Sequence, residues 1–232
     1  MTDRAALPAP ENKAAFVEAM FDRIAPRYDL LNRICTFRLD QTWRRRAIAL
    51  AAIGTGDVVL DLGCGTGDLS ELAAAAGARV IGVDPSAGML AAMRRRRVPA
   101  TPLRADAALL PVRDGSANVV LSGFALRNFA SIEAVFADIT RVLCPNGRIV
   151  LLEVDEPSLA PLRWLHSVHF RTIVPAIGRL LSDADAYRYL PESTVYLPAE
   201  AEMRALMARV GWRDVRKVRL FGGVAQILCA TR

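Results

Sequence analysis

A short apolar segment that runs directly into closely spaced glycines is the feature that most restricts the fold. Residues 58–62 are typical of a buried strand, and Gly63, Gly65 and Gly67 follow at once. The next stretch, residues 68–76, has the pattern of a helix. A strand, a glycine turn and a helix in this order predict one unit of a parallel sheet. Glycines in the turn let the chain bend sharply and let a ligand approach the backbone.

Strand and helix patterns alternate through the middle of the chain, and this alternation predicts an α/β fold. Strands are predicted at residues 58–62, 79–83, 102–104, 117–122 and 148–154, with helices at 68–76, 86–97 and 131–143 between them. Units of this length indicate a parallel sheet covered by helices on both faces. A final pair of strands, residues 215–221 and 224–230 around Gly222 and Gly223, is predicted to form a hairpin at the sheet edge.

The remaining segments predict additions to one domain that spans residues 1–232. Helical periodicity at residues 12–25 and 36–53 indicates an N-terminal helical cap over residues 1–53, followed by the core at 54–232. A mostly helical segment punctuated by prolines, around residues 156–198, is predicted to be an insertion on the substrate side.

Acidic residues follow the second and third predicted strands. Asp84 lies 21 residues after Gly63, where a carboxylate can accept hydrogen bonds from both hydroxyls of a ribose. Asp106 and Ala107 follow the third strand, where a carboxylate can bind the exocyclic amine of a purine. An ordinary helix N-cap is the alternative for Asp84. The glycine spacing differs from the dinucleotide pattern, and this difference disfavours a nicotinamide oxidoreductase. The segment also lacks the lysine of a phosphate-binding loop.

This combination resembles the class I methyltransferases that use S-adenosylmethionine, because residues 60–67 (LDLGCGTG) match their first motif. The resemblance implies a Rossmann-like seven-stranded sheet with one antiparallel strand. It also implies S-adenosylmethionine as cofactor, bound by residues at the strand ends: Asp61, Gly63, Gly65, Thr66, Asp84, Asp106, Ala107 and Gly123.

Four further segments resemble the ubiquinone/menaquinone biosynthesis C-methyltransferases and occur in the same order along the chain. They are residues 21–32 (FDRIAPRYDLLN), 123–128 (GFALRN), 152–157 (LEVDEP) and 183–193 (DADAYRYLPES). The resemblance implies methylation of a ring carbon of a prenylated quinol, with demethylmenaquinol as the expected substrate. Gly123 departs from the family pattern, which usually has serine there.

The same resemblance points to Arg127, Asn128 and Tyr28 as catalytic residues. Arg127 follows the fourth strand, where a guanidinium can stabilise a phenolate. Asn128 is placed to hold a hydroxyl, and Tyr28 to close over the ring. Each has a structural alternative: an ion pair of Arg127 with Asp155 or Glu156, a helix cap for Asn128, and packing for Tyr28.

Two further groups on the insertion remain open. His166 and His169 have the i, i+3 spacing of a helical metal pair, but no third ligand is evident, so we expect packing and no metal. An apolar stripe (Phe170, Ile173, Ile177, Leu180 and Leu181) is either core or the wall of a channel for an isoprenoid tail.

Charge and cysteine usage restrict the partners. The formal net charge is +6, from 28 arginines and 2 lysines against 24 acidic residues. This balance suits an anionic membrane surface, RNA, or an arginine-rich genome. No appended RNA-binding module is evident, so we expect no nucleic acid. Four scattered cysteines favour a cytoplasmic protein, with peripheral membrane contact and a homodimer left open.

A small-molecule O- or N-methyltransferase and a cofactor-binding protein without turnover are the alternative functions.

Overall fold

The computed structural model describes residues 7–181 and 183–232. Within them the chain forms seven strands: β1 (Val58–Leu62), β2 (Arg79–Val83), β3 (Thr101–Leu103), β4 (Ala117–Gly123), β5 (Leu143–Val154), β6 (Arg213–Leu220) and β7 (Ala225–Thr231). The α-helices that accompany them are α1 (Lys13–Ile24), α2 (Tyr28–Cys35), α3 (Leu39–Ala51), α4 (Asp68–Ala75), α5 (Ala87–Arg95), α6 (Ile132–Val142), α7 (Ala160–Val168), α8 (Val174–Leu181), α9 (Ala184–Glu192) and α10 (Glu200–Arg209).

All seven strands form one mixed sheet, which confirms the predicted fold. The order is β3-β2-β1-β4-β5-β7-β6. Strands β1 to β5 pair in parallel, and β7 lies antiparallel between β5 and β6. The strand order reverses between β1 and β4, so a crevice opens beyond the carboxyl ends of these two strands. Open α/β sheets bind their ligands at such a point.

Helices cover both faces of the sheet, as predicted. On one face, α6 and α10 bury Phe136, Ile139 and Met207 against the strands. On the other face, α3 and α4 bury Trp43 and Leu69. The strands between them are apolar on both sides, as a doubly covered parallel sheet requires.

The N-terminal segment covers the sheet edge with two helices, only one of which the sequence pattern predicts. Helix α1 ends at Ile24, and a 3-10 turn over Ala25–Arg27 leads into α2. Pro26 lies in the first turn of this 3-10 segment. Proline is accommodated there because its missing N–H is not needed, so the chain continues from α1 into α2. The sequence pattern predicts a cap over residues 1–53, but α3 packs against the sheet. The edge is therefore covered by α1 and α2.

Helices α7, α8 and α9 lie between β5 and α10, in the predicted insertion. A π-helical turn, His169–Ile173, joins α7 to α8. Of the apolar stripe predicted here, Ile177 packs with the cap helices. The side chains of Leu180 and Leu181 lie outside the described residues. Over residues 7–181 and 183–232, no helix has the length and apolar character needed to cross a membrane.

The α6 face gives a direct test of the layered core. Phe136 is fully buried and its ring centroid lies 4.5 Å from that of Trp212. We expect Phe136→Ala to lower the free energy of unfolding by about 3–5 kcal/mol, because it leaves a cavity in the core. Leu109→Ala is the control, since Leu109 is 79% exposed, and it should change stability by less than about 0.5 kcal/mol. Urea unfolding measures both, and equal effects would contradict this packing.

Candidate active site

A cavity of about 430 Å³ lies at the carboxyl ends of β1, β2, β3 and β4. We call it the cofactor cavity. Its floor is formed by residues that follow each strand in turn: Gly63, Gly65, Asp84, Asp106, Ala107, Gly123, Ala125 and Asn128. Val17 and Phe21 of α1 and Tyr28 of α2 cover it. The structure therefore brings together most of the predicted cofactor-binding residues.

The glycine loop adopts backbone conformations that other residues disfavour. Gly63 and Gly65 have φ values of 65° and 56°. A Cβ at Gly63 would lie 2.4 Å from the Cβ of Ala125, closer than any two such atoms approach. The loop thus depends on glycine both for its turn and for its contact with the segment after β4.

Asp84 lies at the end of β2 with its carboxylate held by the backbone. Its Oδ2 accepts a hydrogen bond from Gly65 N at 2.8 Å, and its Oδ1 accepts one from Ser86 N at 2.9 Å. Ser86, not Asp84, caps α5 with its side chain. Burial raises the pKa of Asp84 to about 6. Because Ser86 caps α5, the helix-cap alternative does not describe Asp84. Each oxygen of the Asp84 carboxylate keeps a lone pair for a further donor.

The donor and acceptor set of the cavity fits a nucleoside cofactor. The Asp84 carboxylate can accept from two ribose hydroxyls, and the exposed Asp106 can accept from an exocyclic amine. Asp106 is fixed by a 2.9 Å hydrogen bond from Ala108 N to its Oδ1, and Ala107 is buried beside it. This set matches S-adenosylmethionine, which has a ribose and an adenine but no pyrophosphate.

Two of the predicted cofactor residues point elsewhere. The Thr66 hydroxyl donates to Asp29 Oδ1 at 2.5 Å, so this side chain ties the glycine loop to α2 and does not line the cavity. Asp61 is buried within β1 and accepts a 2.6 Å hydrogen bond from Ser70. Its other oxygen, Oδ1, is buried and has no hydrogen-bond partner among the described residues. Burial raises the pKa of Asp61 to about 6.

A second cavity, of about 410 Å³, adjoins the first and is mostly apolar. We call it the apolar cavity. Its apolar lining comes from α2–α3, the insertion and the turn after β6: Phe37, Leu39, Trp43, Leu162, Leu165, Val168, Phe170, Ile173, Val174, Phe221 and Val224. Tyr28 and Phe124 line both cavities. The two spaces therefore meet at these two aromatic rings. Two residues of the apolar stripe, Phe170 and Ile173, line the apolar cavity.

Arg127 lines the apolar cavity and is buried in the wall. Its Nη1 donates to Glu153 Oε1 and, at 3.0 Å, to the Phe124 carbonyl. Its Nε donates to Ser193 Oγ at 3.2 Å. The structural alternative, an ion pair with Asp155 or Glu156, named the wrong carboxylate, because the one beside Arg127 is Glu153. Asp155 instead lies 2.9 Å from Lys217 Nζ. The sequence does carry a signal for Glu153, because it is an isolated carboxylate at the end of an otherwise apolar strand segment.

Asn128 lies on the cofactor-cavity side of the same turn. Its Oδ1 accepts a hydrogen bond from the Tyr189 hydroxyl at 3.3 Å, which connects it to α9. Its Nδ2 is 3.5 Å from the Phe124 carbonyl. Asn128 does not cap α6, because the Ser131 side chain does so by accepting from Ala134 N.

Tyr28 is held as a neutral phenol between two arginines. Burial raises its pKa, while Arg44, a hydrogen bond with Asn32 and Arg127 oppose that rise. Its ring packs edge-on against Phe21, with 5.9 Å between centroids. Tyr28 thus combines the packing role and a position beside both cavities.

Arg44 is a buried arginine of the site that sequence reasoning missed. Its Nε lies 3.7 Å from Asp40 and 3.6 Å from Asp68. Its guanidinium carbon lies 5.3 Å from the centroid of the Phe124 ring. A Cβ at Gly123 would lie 3.2 Å from Arg44 Nη1 and 2.7 Å from Leu69 Cδ1. The space that a serine would need at position 123 is therefore taken by these side chains.

The two histidines of the insertion have separate environments. His169 Nε2 lies 2.8 Å from the Cys35 carbonyl, which fixes the π-helical turn to α2. His166 lines the apolar cavity, and its Nε2 is buried without a hydrogen-bond partner among the described residues. Burial lowers the pKa of His166, so its ring is neutral at pH 7.

Comparison with solved structures agrees with this architecture. The magnesium protoporphyrin IX methyltransferase of Synechocystis, solved with bound S-adenosylhomocysteine, matches with a TM-score of 0.63 at 19% identity over 95% of this chain and 99% of that one. A Thermotoga maritima S-adenosylmethionine-dependent methyltransferase matches with a TM-score of 0.65 at 16% identity, over 93% and 99%. These likenesses show the fold alone, and it is a fold that S-adenosylmethionine-dependent methyltransferases adopt.

Sequence comparison gives the family. The ubiE/COQ5 methyltransferase family matches residues 9–232, and the chain belongs to this family. A demethylmenaquinone methyltransferase of Thermus thermophilus is 43% identical over 90% of this chain and 97% of its own length. A ubiquinone/menaquinone biosynthesis C-methyltransferase of Syntrophotalea carbinolica is 39% identical over 92% of each chain.

The raised pKa of Asp84 leads to a pH test of cofactor binding. Ribose hydroxyls bind the ionised carboxylate, so the affinity for S-adenosylmethionine should fall as the pH drops through about 6. Between pH 7 and pH 5 the loss should approach tenfold, since one unit below the pKa leaves about a tenth of the carboxylate ionised. Calorimetry at both pH values measures this.

Asp84→Asn is the matched control for this prediction. It should bind about tenfold or more weakly at pH 7, because a charge-assisted hydrogen bond is lost, and its affinity should not change between pH 7 and pH 5. A pH step that persists in Asp84→Asn would assign the titration to Asp61 instead, whose pKa is also about 6.

Proposed function

We propose that the protein transfers a methyl group from S-adenosylmethionine to a ring carbon of a prenylated quinol, converting demethylmenaquinol to menaquinol. The observation that carries this proposal is the contact between the two cavities at Tyr28 and Phe124. The relatives named as demethylmenaquinone methyltransferases support the same substrate.

The apolar cavity has the chemistry that a quinol with an isoprenoid tail requires. Trp43, Phe124 and Phe170 offer flat surfaces to an aromatic ring. Leu162, Leu165 and other aliphatic side chains line the rest and suit a hydrocarbon tail. A polar or phosphorylated substrate would gain little there, because few polar groups are present to replace its water.

Two arginines, Arg44 and Arg127, line this cavity. Ring carbons of a quinol become nucleophilic when a phenolic hydroxyl gains phenolate character. Arg127 would stabilise that charge as it develops, and its fixed position means that no reorganisation is needed. Glu153 compensates the guanidinium in the absence of substrate and holds its orientation.

The remaining residues would orient the reactants and exclude water. When bound, the cofactor supplies an electrophilic methyl group on a sulfonium. Asn128, fixed by Tyr189, would hold a quinol hydroxyl near the junction of the cavities. Tyr28 would cover the ring as a neutral phenol. His166 would accept a hydrogen bond from the second quinol hydroxyl, because its buried Nε2 has no partner among the described residues.

The proposed reaction is tested with methyl-labelled S-adenosylmethionine and a short-tailed demethylmenaquinol. We expect label on a ring carbon, located by mass spectrometry. The matched control is the corresponding quinone, which lacks the hydroxyl that enriches the ring and should not be methylated. A labelled ether would show O-methylation, and binding of cofactor without transfer to any prenylated quinol would show a protein without this activity. Either result would contradict the proposal.

Arg127 should affect the rate more than cofactor binding. We expect Arg127→Ala to lower kcat about a hundredfold or more while the Kd for S-adenosylmethionine changes little, because the guanidinium stabilises charge that develops during the reaction. Arg127→Lys should rescue only in part, since lysine keeps the charge but not the planar fork. Turnover is measured per folded molecule, well below the Tm of each variant.

Arg148→Ala is the control for loss of a structural arginine. Arg148 pairs with Asp57 and lines neither cavity, so its loss should lower the Tm and leave kcat unchanged. If Arg127→Ala behaved in the same way, Arg127 would be a structural residue only.

A further inference from the structure

The opening of the apolar cavity is surrounded by exposed apolar side chains. Phe37 is 73% exposed, Phe221 63%, Leu165 57% and Ile173 43%, yet all four line the cavity. We call these residues, with Val168, the apolar rim. Side chains of this size seldom remain in water as a contiguous group unless they face a partner or a membrane.

The two phenylalanines of the rim are exposed and have strained backbone conformations. Phe37 has a φ of 51° and Phe221 a φ of 45°. Bulky residues rarely adopt this left-handed region, and such strain is typically found at functional sites. Both residues lie in short connections, one between α2 and α3 and one between β6 and β7.

A basic hollow adjoins the rim and shares Phe37 with it. Its walls are Leu30, Ile34 and Phe37 together with four arginines, Arg33, Arg38, Arg95 and Arg96, and one carboxylate, Asp29. We call this surface the basic hollow. Its lining therefore has a surplus of positive charge directly beside exposed apolar side chains.

Two of these four arginines form no ion pair with a carboxylate in the part of the chain that the structure describes. Arg96 is committed to Asp68 at 2.6 Å and Glu71 at 2.7 Å, and Arg33 lies 3.8 Å from Asp68. Arg38 and Arg95 are exposed, and neither forms an ion pair with any residue in the described part of the chain. These two guanidinium groups are available for phosphate.

We propose that the apolar rim and the basic hollow together dock the enzyme on an anionic phospholipid bilayer, with the rim in the acyl boundary and Arg38 and Arg95 at the phosphates. The proposal rests on the proposed function, because a prenylated quinol resides in the bilayer. The rim surrounds the opening through which its tail must pass, so a bilayer leaves that route open. A protein partner seated on the rim would close it.

Vesicle flotation tests the docking without any quinol. We expect the protein to float with phosphatidylcholine vesicles that contain phosphatidylglycerol, and to remain unbound with phosphatidylcholine alone. Arg38→Gln/Arg95→Gln should weaken binding more than tenfold, since each arginine near an anionic surface contributes about fivefold. Leu30→Ser/Ile34→Ser, which alters the apolar wall of the hollow and leaves the cavity lining unchanged, should also release the protein.

Matched controls come from the rest of the surface. Leu109→Ser and Arg113→Gln change exposed residues that line neither cavity nor the hollow, and both should bind like the parent protein. All variants should methylate a soluble short-tailed quinol at the parent rate. Loss of that activity in the parent, with flotation intact, would refute the proposed function but not the docking.

Three results would overturn the docking itself. The first is no flotation with anionic vesicles. The second is equal binding by the parent and both double variants. The third is a stable dimer in analytical ultracentrifugation that Leu30→Ser/Ile34→Ser converts to a monomer, which would identify a second copy of the chain as the partner.

Discussion

Two carboxylates of the N-terminal helices, Asp22 and Asp29, hold the cap against the edge of the sheet. Asp22 Oδ1 accepts from Ser86 Oγ at 2.6 Å and from Gly88 N at 2.8 Å, at the beginning of α5. Asp29 accepts from Thr66 in the glycine loop and from Arg96. Between these two anchors lies Tyr28, which lines both cavities. The cofactor cavity, the apolar cavity and their junction therefore depend on the same few hydrogen bonds.

Two buried arginines, Arg44 and Arg127, lie at the junction of the two cavities, and nearby carboxylates compensate the charge of each. Arg127 pairs with Glu153, and Arg44 lies near Asp40 and Asp68. Removing one partner of a buried pair costs about 3–5 kcal/mol, because the other charge stays buried without compensation. Both guanidinium groups therefore lie beside the junction while their charges are compensated by neighbouring carboxylates. This compensation also explains why Tyr28 remains near both arginines as a neutral phenol.

Local patterns predict the parallel part of the sheet, the final hairpin and most of the cofactor cavity, whereas the antiparallel strand was implied by the family resemblance. Strand ends of a parallel sheet share one edge, so Gly63, Asp84 and Asp106 meet there by topology alone. The contacts across the chain were not predictable in this way. Glu153 and Arg127 are 26 residues apart, and Thr66 and Asp29 are 37 apart. Their pairing depends on how β5 and α2 pack, which no local pattern records.

The apolar cavity, which we propose binds the quinol, is built mainly from segments that the sheet does not dictate. The solved methyltransferases share the sheet at 16–19% identity, whereas the apolar cavity is formed by α2–α3, the insertion and the turn after β6. The π-helical turn His169–Ile173 belongs to this wall, and such turns are rare and frequently occur at functional sites. It brings Phe170 and Ile173 to the cavity while His169 binds the Cys35 carbonyl across from it. Substrate choice can therefore change in these segments while the cofactor site remains the same.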